Sequence, residues 1–497
     1  MLRPWDLKVE IVRDSEISIH AQIAQKIIDE IHQGRFAIGM ALPGTRELAN
    51  TLKVNRKTVI QAYEELIAQG WLNAESKRGT FVSSRILSVN QHPKPIKSID
   101  YDFQNKISKE STSPKSKKYE NDIISFGSGL SDSRLIPLEV LSRAMRHALI
   151  STIRTNKQSY NEPKGSMILR QAILDMLNMS RSLHADIDNI CIVRGSQMGY
   201  FLIARVLMRP SDNVVMANLC DQLTRDAFKS CGSHIIPIDI NENGINLADL
   251  ETLCQHTKIR AVYVSPHFQF PTTVTMPVSN RRQLLALADR YDFLIIEDDR
   301  DFEFNFSKAS IMPMASMDKS GRVVYIGSLS KVLASGFRMG FIAAPKEIIK
   351  HLSSEIMIID RQGNSVTELA IAELLHTGEI SRHILKIFKI FEGRRNFIVK
   401  LLRTELKDFV TFKIPAGGLA LWLIVKPNIN MELLIKDAEI EKVRIVSGST
   451  FSSNNAPVSA IRLGFANLND DEMTMGIKRL KNALERQIRP NALKQVL

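Results

Sequence analysis

The chain has 497 residues, with 66 Lys+Arg against 53 Asp+Glu and a formal charge of +13. At roughly 100–200 residues per domain, this length implies about three folding units. The 44% hydrophobic and 24% charged fractions exclude a largely disordered chain, and the positive excess points to an anionic partner, either nucleic acid or phosphorylated small molecules.

Along the chain, the first periodic stretch runs from Ile17 to His32, where Ile19, Ile23, Ile27, Ile28 and Ile31 recur at three- and four-residue spacing. This predicts an amphipathic helix ending near Gly34. Thr45 is expected to cap a short second helix with Leu48, Ala49 and Leu52 inside. A tight turn at Lys53-Val54-Asn55 follows, and Asn55 caps a third helix running to about Ala68. That helix opens on Arg56, Lys57 and Thr58 and buries Val59, Ala62, Tyr63 and Leu66. After Gly70, the stretch from Trp71 to Val82 alternates around a turn and predicts a β-hairpin carrying Lys77 and Arg78. Two short helices joined by a tight turn, the second starting on cationic and hydroxyl side chains, make a helix-turn-helix whose second helix reaches base edges.

The segment resembles the winged helix-turn-helix domain of the GntR family of bacterial regulators. The resemblance rests on Gly39, Leu42-Pro43, Arg46-Glu47-Leu48-Ala49, Val54, Arg56, Thr58-Val59, Ala62-Tyr63, Leu66, Gly70 and Gly79-Thr80-Phe81-Val82. It implies that Arg46 and Arg56 lead the contacts to DNA, supported by Lys57, Thr58, Lys77 and Arg78. A guanidinium suits that role because its fork can bind guanine O6 and N7 together.

Hydrophobic periodicity is lost from Ser84 to about Asn121, where the composition turns Ser-, Pro- and Lys-rich, as in Lys109-Glu-Ser-Thr-Ser-Pro-Lys-Ser-Lys-Lys. Such a segment cannot bury enough apolar surface to order itself and is expected to be a flexible linker.

From Ile123 onward, short apolar runs alternate with amphipathic helices. Asn189–Val193, Asn213–Met216, His234–Ile238, Ala261–Val264, Phe293–Glu297, Val323–Ile326 and Gly340–Ala344 are the predicted strands. The pattern indicates an α/β fold with a mostly parallel central sheet, in which ligands sit beyond the carboxyl ends of the strands. Gly195-Ser196 follows the first of these strands and opens a helix, an arrangement that offers N–H groups to an anion. Asp298 follows another, within Glu297-Asp298-Asp299-Arg300-Asp301. After Val323–Ile326 come Ser328, Ser330 and Lys331, with Arg338 seven residues on. A lysine between hydroxyls, near an arginine, suits a phosphorylated carbonyl compound, because the amine can form an imine while the other groups hold the phosphate.

These positions resemble the fold-type I, aminotransferase-like enzymes that use pyridoxal 5′-phosphate. The motifs are Tyr160-Asn-Glu-Pro-Lys-Gly165, Leu169-Arg170, Gly195-Ser-Gln, Gln269-Phe-Pro-Thr, Glu297-Asp298-Asp299, Gly327-Ser-Leu-Ser-Lys331, Arg338-Met-Gly and Ile461-Arg462-Leu-Gly-Phe. A GntR-type N-terminus on such a body is specific to the MocR-type subgroup of regulators. The resemblance implies Lys331 as the Schiff-base lysine and Asp298 as partner of the ring nitrogen. It implies that Ser328, Ser330, Arg338 and the backbone at Gly195-Ser196 hold the phosphate, joined by Tyr160 from a neighbouring subunit of a homodimer. Arg462 would clamp an amino-acid carboxylate.

The chain departs from that pattern at the ring. Arg300 stands where the subgroup has a tyrosine, and it is expected to ion-pair with the cofactor's phenolate instead. Phe268 replaces a histidine, Thr273 a glycine, Ala420 a frequent histidine and Asp221 the aromatic that stacks on the ring. Efficient transamination is therefore not expected.

Cys191, Cys220, Cys231 and Cys254 form no C-x-x-C pair and read as reduced thiols, with no zinc site expected. The N-terminus has no signal-like apolar run, and stretches such as Phe201–Met208 are broken by charges like Arg205 before the ~18 residues of a membrane span. The expected organisation is a winged helix-turn-helix domain at residues 1–84, a linker at 85–121 and an aminotransferase-like effector and dimerisation domain at 122–497. The reading is a cytoplasmic DNA-binding regulator that senses pyridoxal phosphate or an amino compound. An active aminotransferase and a regulator that has lost the cofactor are the alternatives.

Overall fold

The computed structural model describes residues 11–84 and 122–488, apart from 14, 16, 77, 128, 155–161, 308–310 and 455. The predicted linker, Lys77 and Tyr160 therefore lie outside the described residues. The chain divides into two compact units, Met1–Lys117 and Lys118–Leu497.

In the first unit, helices α1 (Ile19–His32), α2 (Thr45–Leu52) and α3 (Arg56–Ala68) precede strands β1 (Leu72–Glu75) and β2 (Gly79–Val82). The core holds Ile23, Ile27, Leu48, Val59, Ala62, Tyr63, Leu66, Leu72 and Val82, which are the inward positions read from periodicity plus the ends of the hairpin. Asn55 caps α3 as expected, accepting from Lys57 N at 2.8 Å. Thr45 does not cap α2: the N-cap is Gly44, and the Thr45 hydroxyl accepts instead from Arg56 Nε at 3.3 Å. One residue of displacement frees that hydroxyl to face the next helix. The hairpin also gains a neighbour that its own alternation does not reveal, since Leu42 N donates to Thr80 O and Val82 N to Met40 O.

In the second unit, seven strands form the central sheet: β3 (Ile190–Val193), β4 (Asn213–Ala217), β5 (His234–Ile238), β6 (Ala261–Val264), β7 (Leu294–Asp298), β8 (Val323–Ser328) and β9 (Gly340–Ala343). Their spatial order is β3-β9-β8-β7-β6-β4-β5. All neighbours are parallel except β9, which runs antiparallel to both β8 and β3. Alternate residues feed two apolar layers: Ile295, Val262 and Tyr325 face one, and Ile296, Ala261 and Ile326 face the other. Burial on both faces accounts for the continuous apolar runs. A second sheet near the C-terminus pairs Val410–Phe412, Ala420–Val425, Ala460–Gly464 and Val446–Ser447, and carries Arg462 on its third strand. Among the described residues, no helix is long and apolar enough to cross a membrane.

Candidate functional site

In the first unit, Arg46, Arg56, Lys57 and Arg78 are exposed and Thr58 is half-buried. The first turn of α3 contains no acidic residue. Two cations at the positive end of a helix are unfavourable unless an anion faces them, so this end suits a phosphate or a base acceptor. Arg78 extends along the hairpin, ion-paired to Glu75 at 2.6 Å and lying 5.8 Å from the Phe81 ring centroid.

In the second unit, the chemistry-bearing residues gather where the central strands end. Asp298 closes β7, Ser328 closes β8 with Lys331 three residues beyond, and Gly195 follows β3 at the start of a helix, α4 (Gly195–Leu207). Because β9 is antiparallel, its first residue, Gly340, lies at this same edge, paired with Val193 and Ser328. Packing here is tight enough to exclude side chains. A Cβ on Gly340 would sit 2.9 Å from the Gly195 carbonyl carbon, and one on Gly195 would sit 2.7 Å from Arg338 Nη2. The Arg338 guanidinium thus lies against the first turn of α4, whose N–H groups have no intrahelical partner. Ser330 N donates to Ser328 Oγ at 3.2 Å on the neighbouring strand end.

Lys331 is largely buried, and its ammonium donates to Asp301. Burial lowers its pKa, helped by the nearby Arg300 and Arg462, while Asp301 opposes the shift. Arg462 is 4% exposed, donates to Pro271 O at 3.1 Å and lies 4.5 Å from the Phe270 ring centroid. Burial pulls its guanidinium down to about 10, and among the described residues it has no carboxylate within ion-pair distance.

Asp298 is buried. Its Oδ2 accepts from Tyr263 Oη at 2.6 Å, from Ser265 Oγ at 3.4 Å, and from Arg300 Nε and Nη2 at 2.8 and 2.6 Å, while Oδ1 has no hydrogen-bond partner among the described residues. Arg300 therefore pairs with the carboxylate assigned to the ring nitrogen, rather than standing free for a phenolate as its sequence position suggests. It is only two residues from Asp298, and at that separation the fork folds back onto the acid. Its other edge lies 3.8 Å from Asp221, the residue expected at the stacking position.

Of the predicted site residues, Lys331, Asp298, Arg300, Ser328, Ser330, Arg338, Gly195 and Ser196 lie at one sheet edge, and Arg462 couples electrostatically to Lys331 from the second sheet. Thr273 adopts φ +62°, so the left-handed backbone that favours glycine persists under a β-branched side chain. Sequence reasoning missed Tyr263, Ser265 and Asp301 as partners. It also missed a buried network below them, in which Arg181 donates to Glu303 and Tyr325 Oη, and Tyr325 Oη donates to Asp299 Oδ2 at 2.7 Å. His267 Nδ1 stands 3.0 Å from Asp299 Oδ1. Burial works against Asp299 ionising, but His267, Arg181 and Tyr325 together hold it below the usual range.

Comparison with known proteins agrees with both halves. Residues 121–480 match the family of aminotransferase class I and II, and residues 19–82 match bacterial regulatory proteins of the gntR family. The HTH-type transcriptional regulator YdfD of Bacillus subtilis is 29% identical over 93% of this chain and 95% of its own length. The probable rhizopine catabolism regulatory protein MocR of Rhizobium meliloti is 26% identical, covering 95% and 94%. Among solved structures, kynurenine aminotransferase of Pyrococcus horikoshii, in complex with PMP, superposes with TM-score 0.69 at 28% identity over 74% of this chain and 92% of that one. The chain belongs to the aminotransferase class I and II family. With a GntR-type winged helix ahead of that body, it has the architecture of the MocR-type regulators.

Proposed function

We propose that this chain is a cytoplasmic transcriptional regulator that reads DNA through its winged helix-turn-helix and binds pyridoxal 5′-phosphate in its aminotransferase-like unit. The carrying observation is that one chain joins an exposed Arg56-Lys57 helix start to a buried lysine and carboxylate in an aminotransferase fold. Arg46 and Arg56 are the leading DNA contacts, with Lys57, Thr58 and Arg78 beside them. A homodimer would present two such domains to two operator half-sites. Replacing Arg56 by alanine is expected to cost about 1–3 kcal/mol of affinity for a selected operator fragment, read by fluorescence anisotropy. Unchanged affinity would remove the recognition helix from this reading.

The residues of the second unit suit the cofactor. Among the described residues Asp298 keeps a buried oxygen without a hydrogen-bond partner, and the Arg338 guanidinium lies close against the glycine start of α4. Lys331 would hold the cofactor covalently, and Asp298 would face its ring nitrogen. Ser328, Ser330, Arg338 and the Gly195-Ser196 backbone would hold its phosphate, with Tyr160 contributed by the second subunit. When bound, the cofactor supplies an aldehyde that links to an amine and a ring that withdraws electrons. Arg462 would receive the carboxylate of an amino-acid effector, and occupancy would bias the unit between conformations that present the DNA-binding domains differently.

Lys331 attacks only as the neutral amine, so covalent uptake of pyridoxal phosphate is expected to rise with pH around a midpoint below the ordinary lysine value of 10.5. Asp301 favours the ammonium, so Asp301→Asn is expected to move that midpoint lower still and to speed uptake at neutral pH. A borohydride-trapped pH profile measures this, and an unmoved or raised midpoint would contradict it.

Asp221 at the stacking position and Arg300 on Asp298 argue against efficient transamination. The presence of Lys331, Asp298 and Arg462 together favours some residual activity, which keto-acid release from amino-acid donors would detect.

A further inference from the structure

Two residues that depart from the aminotransferase pattern, Arg300 and Asp221, lie next to each other. Arg300 places two N–H groups on Asp298 Oδ2, at 2.8 and 2.6 Å, while its third nitrogen stands 3.8 Å from Asp221 Oδ2. Its guanidinium carbon is 5.6 Å from the Tyr200 ring centroid and 5.5 Å from that of Phe270. The group is thus held by two acids and flanked by two aromatic rings. Asp298, for its part, receives four donor contacts on a single oxygen. A carboxylate stabilises a protonated ring nitrogen by the charge it has free to offer, and a guanidinium that places two charge-assisted hydrogen bonds on one of its oxygens competes for that charge.

We propose that Arg300 is a built-in competitor of the cofactor's ring nitrogen for Asp298, and so a positioning residue that lowers this site's preference for a protonated pyridine ring. The proposal rests on the cofactor reading above and adds what this chain does to it. Asp221 is the second anchor that keeps the guanidinium in place. An aromatic at position 300 would have left Asp298 with only the ring cation to hold, whereas here it also holds Arg300.

The test compares pyridoxal phosphate with its carbocyclic analogue, in which C–H replaces the ring nitrogen, by equilibrium binding to the full chain followed by tryptophan fluorescence. The wild type is set beside Arg300→Met, Arg300→Lys and Arg300→Met/Asp298→Asn, with thermal melts confirming that each is folded. Removing Arg300 is expected to raise the preference for pyridoxal phosphate over the analogue by at least about tenfold, because the acid's charge is then no longer shared with a guanidinium. The double variant is expected to lose that gain, which a purely structural role for Arg300 would not predict. Arg300→Lys, which keeps the charge without the fork, is expected to fall between the wild type and Arg300→Met. A preference unchanged or reduced in Arg300→Met overturns the proposal while leaving the cofactor reading intact. Binding of pyridoxal phosphate by neither the wild type nor Arg300→Met overturns the cofactor reading, and the proposal with it.

Discussion

Lys331→Ala is expected to abolish covalent retention of pyridoxal phosphate: after borohydride treatment the wild type should carry one pyridoxyl group by mass spectrometry, and the variant none. The chain has many lysines, but they differ in environment. Lys331 is buried beside Arg300 and Arg462, and burial first, with those cations, lowers its pKa and favours the reactive amine. Asp301 holds the ammonium in place until reaction, so position and protonation are set by the same pair. Alanine removes that amine, and the neighbouring Arg300 and Arg462 do not substitute for it, because guanidinium groups do not form imines at accessible pH. Operator binding measured without pyridoxal phosphate should be retained in the variant, since the winged helix belongs to the other unit. Equal trapping in wild type and variant would place attachment elsewhere and withdraw Lys331 from the site.

Arg181→Met is expected to give the largest loss of stability, roughly 3–5 kcal/mol read from the urea unfolding transition of the second unit. Arg181 is 1% exposed and donates to Glu303 and to Tyr325 Oη, with its guanidinium carbon 4.4 Å from the Phe302 ring centroid. Methionine nearly fills the volume but removes the cation that compensates Glu303 and stands near Asp299, leaving a half-buried and a fully buried acid without it. The damage should extend to the site. Asp299 follows Asp298 at the end of β7, and the Arg181–Tyr325–Asp299 chain fixes how that end is presented. Weaker pyridoxal phosphate binding is therefore expected alongside the lost stability. A loss below about 1 kcal/mol would mean that the acids find other partners or take up protons at little cost.

The helices of the winged domain and the strands of the large unit were legible because both depend on local pattern. Ile23, Ile27, Val59 and Leu66 mark helical faces through their spacing, and unbroken runs such as Leu294–Ile296 mark strands covered on two sides. That Lys331, Asp298 and Arg338 stand at the ends of elements was legible because each lies in a short motif there. The Thr45 cap was misplaced by one residue, since either Gly44 or Thr45 satisfies the local rules and only the contact with Arg56 decides. Tyr263 sits in a predicted apolar strand, and Arg181 in no motif. Their roles arise from groups far along the chain, Asp298 for the first and Glu303 and Tyr325 for the second.

The sequence by itself thus determined the two kinds of unit, their order and where the candidate lysine stands, because these reside in periodicity and contiguous motifs. Tertiary structure alone decided which charges meet. Arg300 reads in sequence as a replacement for a ring-facing tyrosine, yet in space it is the partner of Asp298 and the neighbour of Asp221. Opposite charges in a buried pocket pair with whatever lies within a few ångströms, and that distance is set by how β6, β7 and the loop after β4 converge, not by any spacing along the chain.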